Sequence, residues 1–158
     1  MRHAFLILLL ALSACATTAP TGFRDPASLM TSTTRFDAGR VSGRWQVRAV
    51  FAAPGALLHP KQVELHQGPS GQIELITIDG TPVGVTATAP GRLTASDGRD
   101  FWVVWVDADY RTLAIGTPDG SFGWILDRAA LGGADRIKAA RDILDWVGYD
   151  LAALQEVT

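Results

Sequence analysis

The chain has 158 residues, 47% of them hydrophobic and 19% charged, which suits one packed domain and excludes a disordered tail or a fibrous repeat. Fourteen Lys and Arg stand against 16 Asp and Glu, for a net charge of −2 with no basic cluster, so the phosphate-neutralising surface that nucleic-acid binding needs is absent. A single cysteine excludes an intrachain disulfide and a thiolate metal cluster.

In chain order, Met1-Arg2-His3 gives a positive start, Ala4 to Leu12 is an apolar run, and Ser13 and Ala14 are small. This is the pattern of a secretory signal peptide over residues 1–14. The run is far shorter than the roughly 20 residues a membrane-spanning helix requires. Leu12-Ser13-Ala14-Cys15 resembles a bacterial lipobox, which implies that Cys15 becomes the first mature residue and carries acyl chains such as palmitate. Several chains, at about 0.8 kcal/mol per buried CH₂, exceed what stable membrane attachment takes. With no Asp at Ala16 or Thr17, the same resemblance implies sorting to the bacterial outer membrane, on its periplasmic face. Residues 15–34 are rich in Thr, Ser, Ala and Pro without apolar periodicity, the composition of a flexible tether.

From residue 35 to 158 the pattern is that of one folded unit. Eight β-prone stretches are predicted: Trp45–Phe51, Gln62–His66, Gln72–Asp79, Pro82–Ala87, Arg92–Ala95, Phe101–Asp107, Arg111–Gly116 and Phe122–Asp127. Turn chemistry separates many of them, including Gly68-Pro69-Ser70-Gly71, Asp79-Gly80, Pro90-Gly91, Asp97-Gly98 and Pro118-Asp119-Gly120. Such a series fits an antiparallel up-and-down meander that closes into an eight-stranded β-barrel. An open sandwich has a similar strand count, and pattern alone leaves both standing. Asp135–Val147 then changes period, with Ile137, Ala140, Ile143, Leu144 and Val147 on one stripe, which predicts a single C-terminal amphipathic helix ended by Gly148. Its mixed charges favour packing on the barrel over lying on a membrane. The fold class is therefore all-β with one C-terminal α-helix.

Three elements in order resemble the lipocalins, most closely the bacterial lipoprotein lipocalins. Phe36-Asp37-Ala38-Gly39-Arg40 runs into Gly43-Arg44-Trp45, Asp107-Ala108-Asp109-Tyr110 forms a turn, and Trp124-Ile125-Leu126-Asp127-Arg128 ends the last strand in arginine. The resemblance implies that Trp45 plugs the closed end of the barrel, that Arg128 lays its guanidinium across the indole, and that Gly43 lets the chain pass beneath. Such a cation–π contact contributes about 0.5 to 2 kcal/mol. Gln46 and Val41 depart from the family pattern, where aromatic residues are frequent.

Alternation along strands extends the assignment. With Trp45 inward, so are Val47, Ala49 and Phe51; with Arg128 inward, so are Leu126, Trp124 and Phe122. Comparison with lipocalins places Phe101, Val103 and Trp105 inside. Val63 and Leu65, Ile73 and Leu75, and Val85 and Ala87 follow from apolar alternation. The candidate ligand-binding residues are thus Phe51, Val63, Leu65, Leu75, Val85, Phe101, Val103, Trp105 and Trp124. Their chemistry suits an acyl chain, and the resemblance implies a fatty acid, lysophospholipid or similar ligand bound or shuttled in the cell envelope. The alternative is a barrel filled by its own side chains, tethered as an interaction or structural module for another envelope protein. Leu57 and Leu58 lie in the first loop, where three roles are open: covering ligand, touching membrane or capping the rim. His59 and His66 are the only histidines after residue 14, too few for a typical zinc site, and no nucleophile elbow or phosphate loop occurs. No metal, cofactor or catalytic residue is assigned, and the sequence supports no enzyme activity.

Overall fold

The computed structural model describes residues 22–53 and 59–157. The signal segment, Cys15, and Leu57 and Leu58 lie outside the described residues.

Eight antiparallel strands form the wall: β1 (Gly43–Phe51), β2 (Gln62–Gln67), β3 (Ile73–Ile78), β4 (Thr81–Ala89), β5 (Arg92–Ala95), β6 (Asp100–Val106), β7 (Thr112–Gly116) and β8 (Gly123–Asp127). Each pairs with its sequence neighbour, and β1 pairs with both β2 and β8, so the sheet closes. The sequence left a barrel and a sandwich standing; this closure selects the barrel and removes the exposed edges that a sandwich keeps. A ninth strand, β9 (Gln155–Glu156), pairs with Ala49 and Val50 on β1. It takes up the part of the β1 edge that β2, beginning opposite Gln46, does not reach.

A one-turn helix, α1 (Ala38–Val41), precedes the wall, with Asp37 at its N-cap accepting from the Arg40 backbone N–H at 3.0 Å. Helix α2 (Ala134–Trp146) packs outside β6, β7 and β8. Ala140 and Leu144 are buried beneath it and Ile137 and Ile143 partly so, the stripe read from the sequence.

The hydrophobic core is therefore double. One cluster fills the barrel, and a second lies between its outer wall and α2, with Ala49, Ala114, Ile125, Leu144 and Tyr149 among its members. Strands that serve both faces are apolar throughout: all five residues of β7 and all five of β8 are buried.

The tether expected to run to Thr34 is replaced from Gly22 onward by an ordered arm. The Phe23 N–H donates to Gly120 O at 2.7 Å, the Asp25 N–H to Gly148 O at 2.9 Å, and the Thr33 N–H to Val103 O at 2.8 Å. Arg24, only 4% exposed, donates from Nε to Val147 O at 2.7 Å and from Nη1 to Pro118 O at 2.8 Å. Backbone hydrogen bonds and one guanidinium hold this segment, so no apolar period announces it.

Candidate ligand site

The closed end is built first. Trp45 is fully buried, and its indole Nε1–H donates to Val41 O at 2.8 Å, tying α1 across the barrel floor. The Arg128 guanidinium lies 3.6 Å from the centre of the Trp45 ring. From that position it donates to three backbone carbonyls, those of Arg44 at 3.0 Å, Arg40 at 2.8 Å and Ser42 at 2.9 Å. Burial pulls the Arg128 pKa down from its ordinary value. Gly43, with φ 97°, sits where a Cβ would meet Arg128 Nη1 at 3.4 Å. Beside this assembly the Arg40 guanidinium lies 3.8 Å from the centre of the Tyr110 ring.

Above the floor, Val63, Leu65, Val85, Phe101, Val103 and Trp124 all belong to the interior cluster. Phe101, Phe122 and Trp124 meet one another with ring centres 5.0 to 5.6 Å apart. Such tilted contacts add about 0.5 to 1.5 kcal/mol each beyond area burial.

Four residues assigned to the interior, Ala49, Phe51, Leu75 and Trp105, lie elsewhere, each because a β-bulge breaks the alternation. On β1, Val47 opposes Leu126 but Ala49 opposes Ile125, leaving Arg48 as the extra residue. Beyond it Val50 and Ala52 face inward, while Ala49 and Phe51 face α2. On β6, Val103 opposes Ile115 and Trp105 opposes Ala114, so Val104 is the extra residue and Trp105 packs in the outer cluster. On β3, His66 opposes Leu75 and Gln67 opposes Ile73, with Glu74 bulged out. Ile73, Ile76 and Ile78 therefore line the interior and Leu75 does not. A bulge inserts one residue and reverses every later parity assignment on its strand. The sequence missed Val50, Ile76 and Ile78, apolar neighbours of these bulges, as well as Leu93 on β5 and Leu113 and Ile115 on β7.

The interior is apolar throughout. The buried polar side chains among the described residues, Arg24, Asp107, Thr112, Thr117 and Asp127, bond to turns, to α2 and to the N-terminal arm. The lumen is also well filled: Trp45, Phe101, Phe122 and Trp124 leave no surface that a water molecule can touch. The wall opens sideways, because β3 pairs with β4 only from Leu75 to Ile78 and β4 then continues with β5 alone. A cleft of ≈ 750 Å³ lies there, lined by Ile73, Val85 and Ala95 from the interior cluster and by Glu74, Thr86 and Thr94.

No three His, Cys, Asp or Glu side chains gather for a metal among the described residues, and none of their helices is long and apolar enough to cross a membrane. In the turn between β6 and β7, burial pushes the Asp107 carboxyl up. Backbone N–H groups of Thr112 at 2.6 Å and Arg111 at 2.5 Å outweigh this and hold its pKa below the ordinary value. This carboxylate organises a turn.

Comparison with known proteins agrees with the barrel. Residues 88–158 match the family described as Lipocalin-like domain. Temperature-induced lipocalin-1 of Arabidopsis thaliana is 35% identical over 57 residues, 36% of this chain and 31% of that protein. The match thus spans about a third of that relative's length. The closed eight-stranded antiparallel barrel with one C-terminal helix is consistent with a lipocalin fold, and residues 88–158 are similar to that family.

Proposed function

We propose that this protein binds a small hydrophobic ligand, of the fatty-acid or lysophospholipid class, inside its barrel. The observation that carries the reading is an interior lined by hydrocarbon and aromatic side chains, of which Ile73, Val85 and Ala95 also line the cleft between β3 and β4. Burial of ligand there yields roughly 25 cal/mol per Å² of apolar surface, and among the described residues the interior cluster holds no charged side chain for a headgroup. The headgroup therefore stays at the cleft or the mouth. Binding or carriage, not catalysis, is the activity this arrangement suits. Acylation of Cys15 would place the barrel on a membrane, with the bacterial outer membrane as the address its sequence context favours.

A second reading rests on the packed aromatic trio Phe101, Phe122 and Trp124. In it the filled barrel holds no ligand and presents its outer face to an envelope protein.

Native mass spectrometry of the chain from Ala16, before and after delipidation and with added palmitate and lysophospholipid, tests the first against the second. A one-to-one lipid adduct is the expected result. No adduct, together with unchanged tryptophan emission, overturns ligand binding and leaves the interaction module.

A further inference from the structure

We propose that the outer wall carries a second binding site, separate from the lumen, for an anionic single-chain amphiphile. The site is a groove of ≈ 510 Å³ between β1, the loop joining β8 to α2, the first half of α2 and the tail after β9. It exists because the β1–β2 ladder ends just past Gln46, where the Val47 N–H still donates to Lys61 O at 2.9 Å, and beyond it β1 on that edge meets only Val157 and the two residues of β9.

The groove has an apolar floor and a cationic rim. Ala49, Ile137 and Val157 supply hydrocarbon, and Leu131 stands beside them 84% exposed. Leu131 is not at the end of a fraying loop. The Arg48 guanidinium donates from Nη1 to Ala129 O at 3.3 Å and to Gly132 O at 3.0 Å, which fixes the carbonyls on either side of it. Beside the hydrocarbon of Ala49, Ile137 and Val157, Leu131 extends one apolar surface along the groove.

The charges decide the occupant. Arg48, Lys61 and Arg141 line the groove against one carboxylate, Glu156, in a chain whose net charge is −2. Arg141 is paired with Glu156 at 3.2 Å. The Lys61 ammonium has no hydrogen-bond or ion-pair partner among the described residues and is the free cation at the rim. An acyl chain along Leu131 and Ile137 brings a carboxylate or phosphate headgroup to Lys61. The volume falls in the small-ligand range of roughly 300 to 1,000 Å³.

The probe is dodecanoate, with dodecanol as its uncharged control, titrated by NMR and calorimetry into the full chain carrying Cys15→Ala. One-to-one binding is expected, with amide shifts at Arg48, Leu131 and Ile137. Lys61→Glu and Leu131→Ser should each weaken dodecanoate about 5-fold or more, and dodecanol should bind weaker by a similar factor. Both altered side chains are exposed, so thermal melts should not move, which separates lost binding from lost folding. Undiminished affinity in both variants overturns the proposal. Shifts confined to Val103, Leu113 and Leu126 overturn the groove and leave the lumen reading intact, whereas groove shifts without lumen shifts support the groove and count against the lumen for this ligand. An absence of any dodecanoate binding overturns the groove.

Discussion

Trp124 and Trp105 fill opposite faces of the same wall, and their truncation should separate the two cores. Trp124 is fully buried among Phe101 and Phe122, so Trp124→Ala should cost about 3 to 5 kcal/mol. Trp105 is only partly buried in the outer cluster. Trp105→Ala should cost clearly less and leave lipid affinity in place, as urea unfolding and titration would register; equal penalties would contradict the bulge at Val104. Tyr149 offers a second residue-scale test. Its hydroxyl donates to Phe122 O at 2.7 Å and accepts from the Thr117 N–H at 2.7 Å. Burial pushes the phenol from 10.0 up to about 12. Because the neutral form is the one favoured in the fold, this stability is complete below pH 10 and is lost as pH rises toward 12. Melts between pH 9 and about 12 should fall more steeply for the wild type than for Tyr149→Phe, whose hydroxyl is absent at every pH. Parallel curves would contradict the assignment.

At the level of elements, α2 is attached by more than its apolar stripe. Arg136, off that stripe, donates from Nη2 to Asp127 Oδ2 at 3.0 Å and from Nε to Thr112 Oγ1 at 2.9 Å. Thr112 Oγ1 also donates to Asp127 at 2.6 Å. Asp127 and Thr112 are wholly buried, so Arg136→Ala leaves a carboxylate without its cation and should cost about 2 to 4 kcal/mol. Adding Asp127→Asn should recover part of that loss in a double-mutant cycle; strict additivity would mean the pair is uncoupled. The network also shows what the sequence could and could not reveal. Strand and helix positions were legible from period and turn residues, and Trp45 and Arg128 from the motifs around them. The side each residue faces was legible only up to the first bulge. Arg48, Glu74 and Val104 are ordinary strand residues by composition, and nothing in Gln46-Val47-Arg48-Ala49 marks where the pleat breaks. Nor does composition mark residues 22–34 as ordered, since Arg24 and backbone pairing hold them.

For the molecule as a whole, the packed lumen makes a kinetic demand on any ligand that enters it. Interior close packing leaves an acyl chain no room until Phe101, Phe122 and Trp124 move, so the competent state is a minor one that must open first. Lumen binding should then be gated. Its observed rate, followed by stopped-flow tryptophan emission, should level off as lipid concentration rises, at the rate of opening. Trp124→Leu, which removes ring volume from the centre of the trio, should raise that plateau and tighten apparent affinity by making the competent state more populated. A ligand held in the outer groove meets no such gate, because Leu131 and Lys61 already stand in solvent. Its rate should climb linearly with concentration and ignore Trp124→Leu. Fatty acid added to one sample therefore sorts its own sites by rate law, and a linear dependence with no plateau in wild type and variant alike would remove the lumen from the binding reaction.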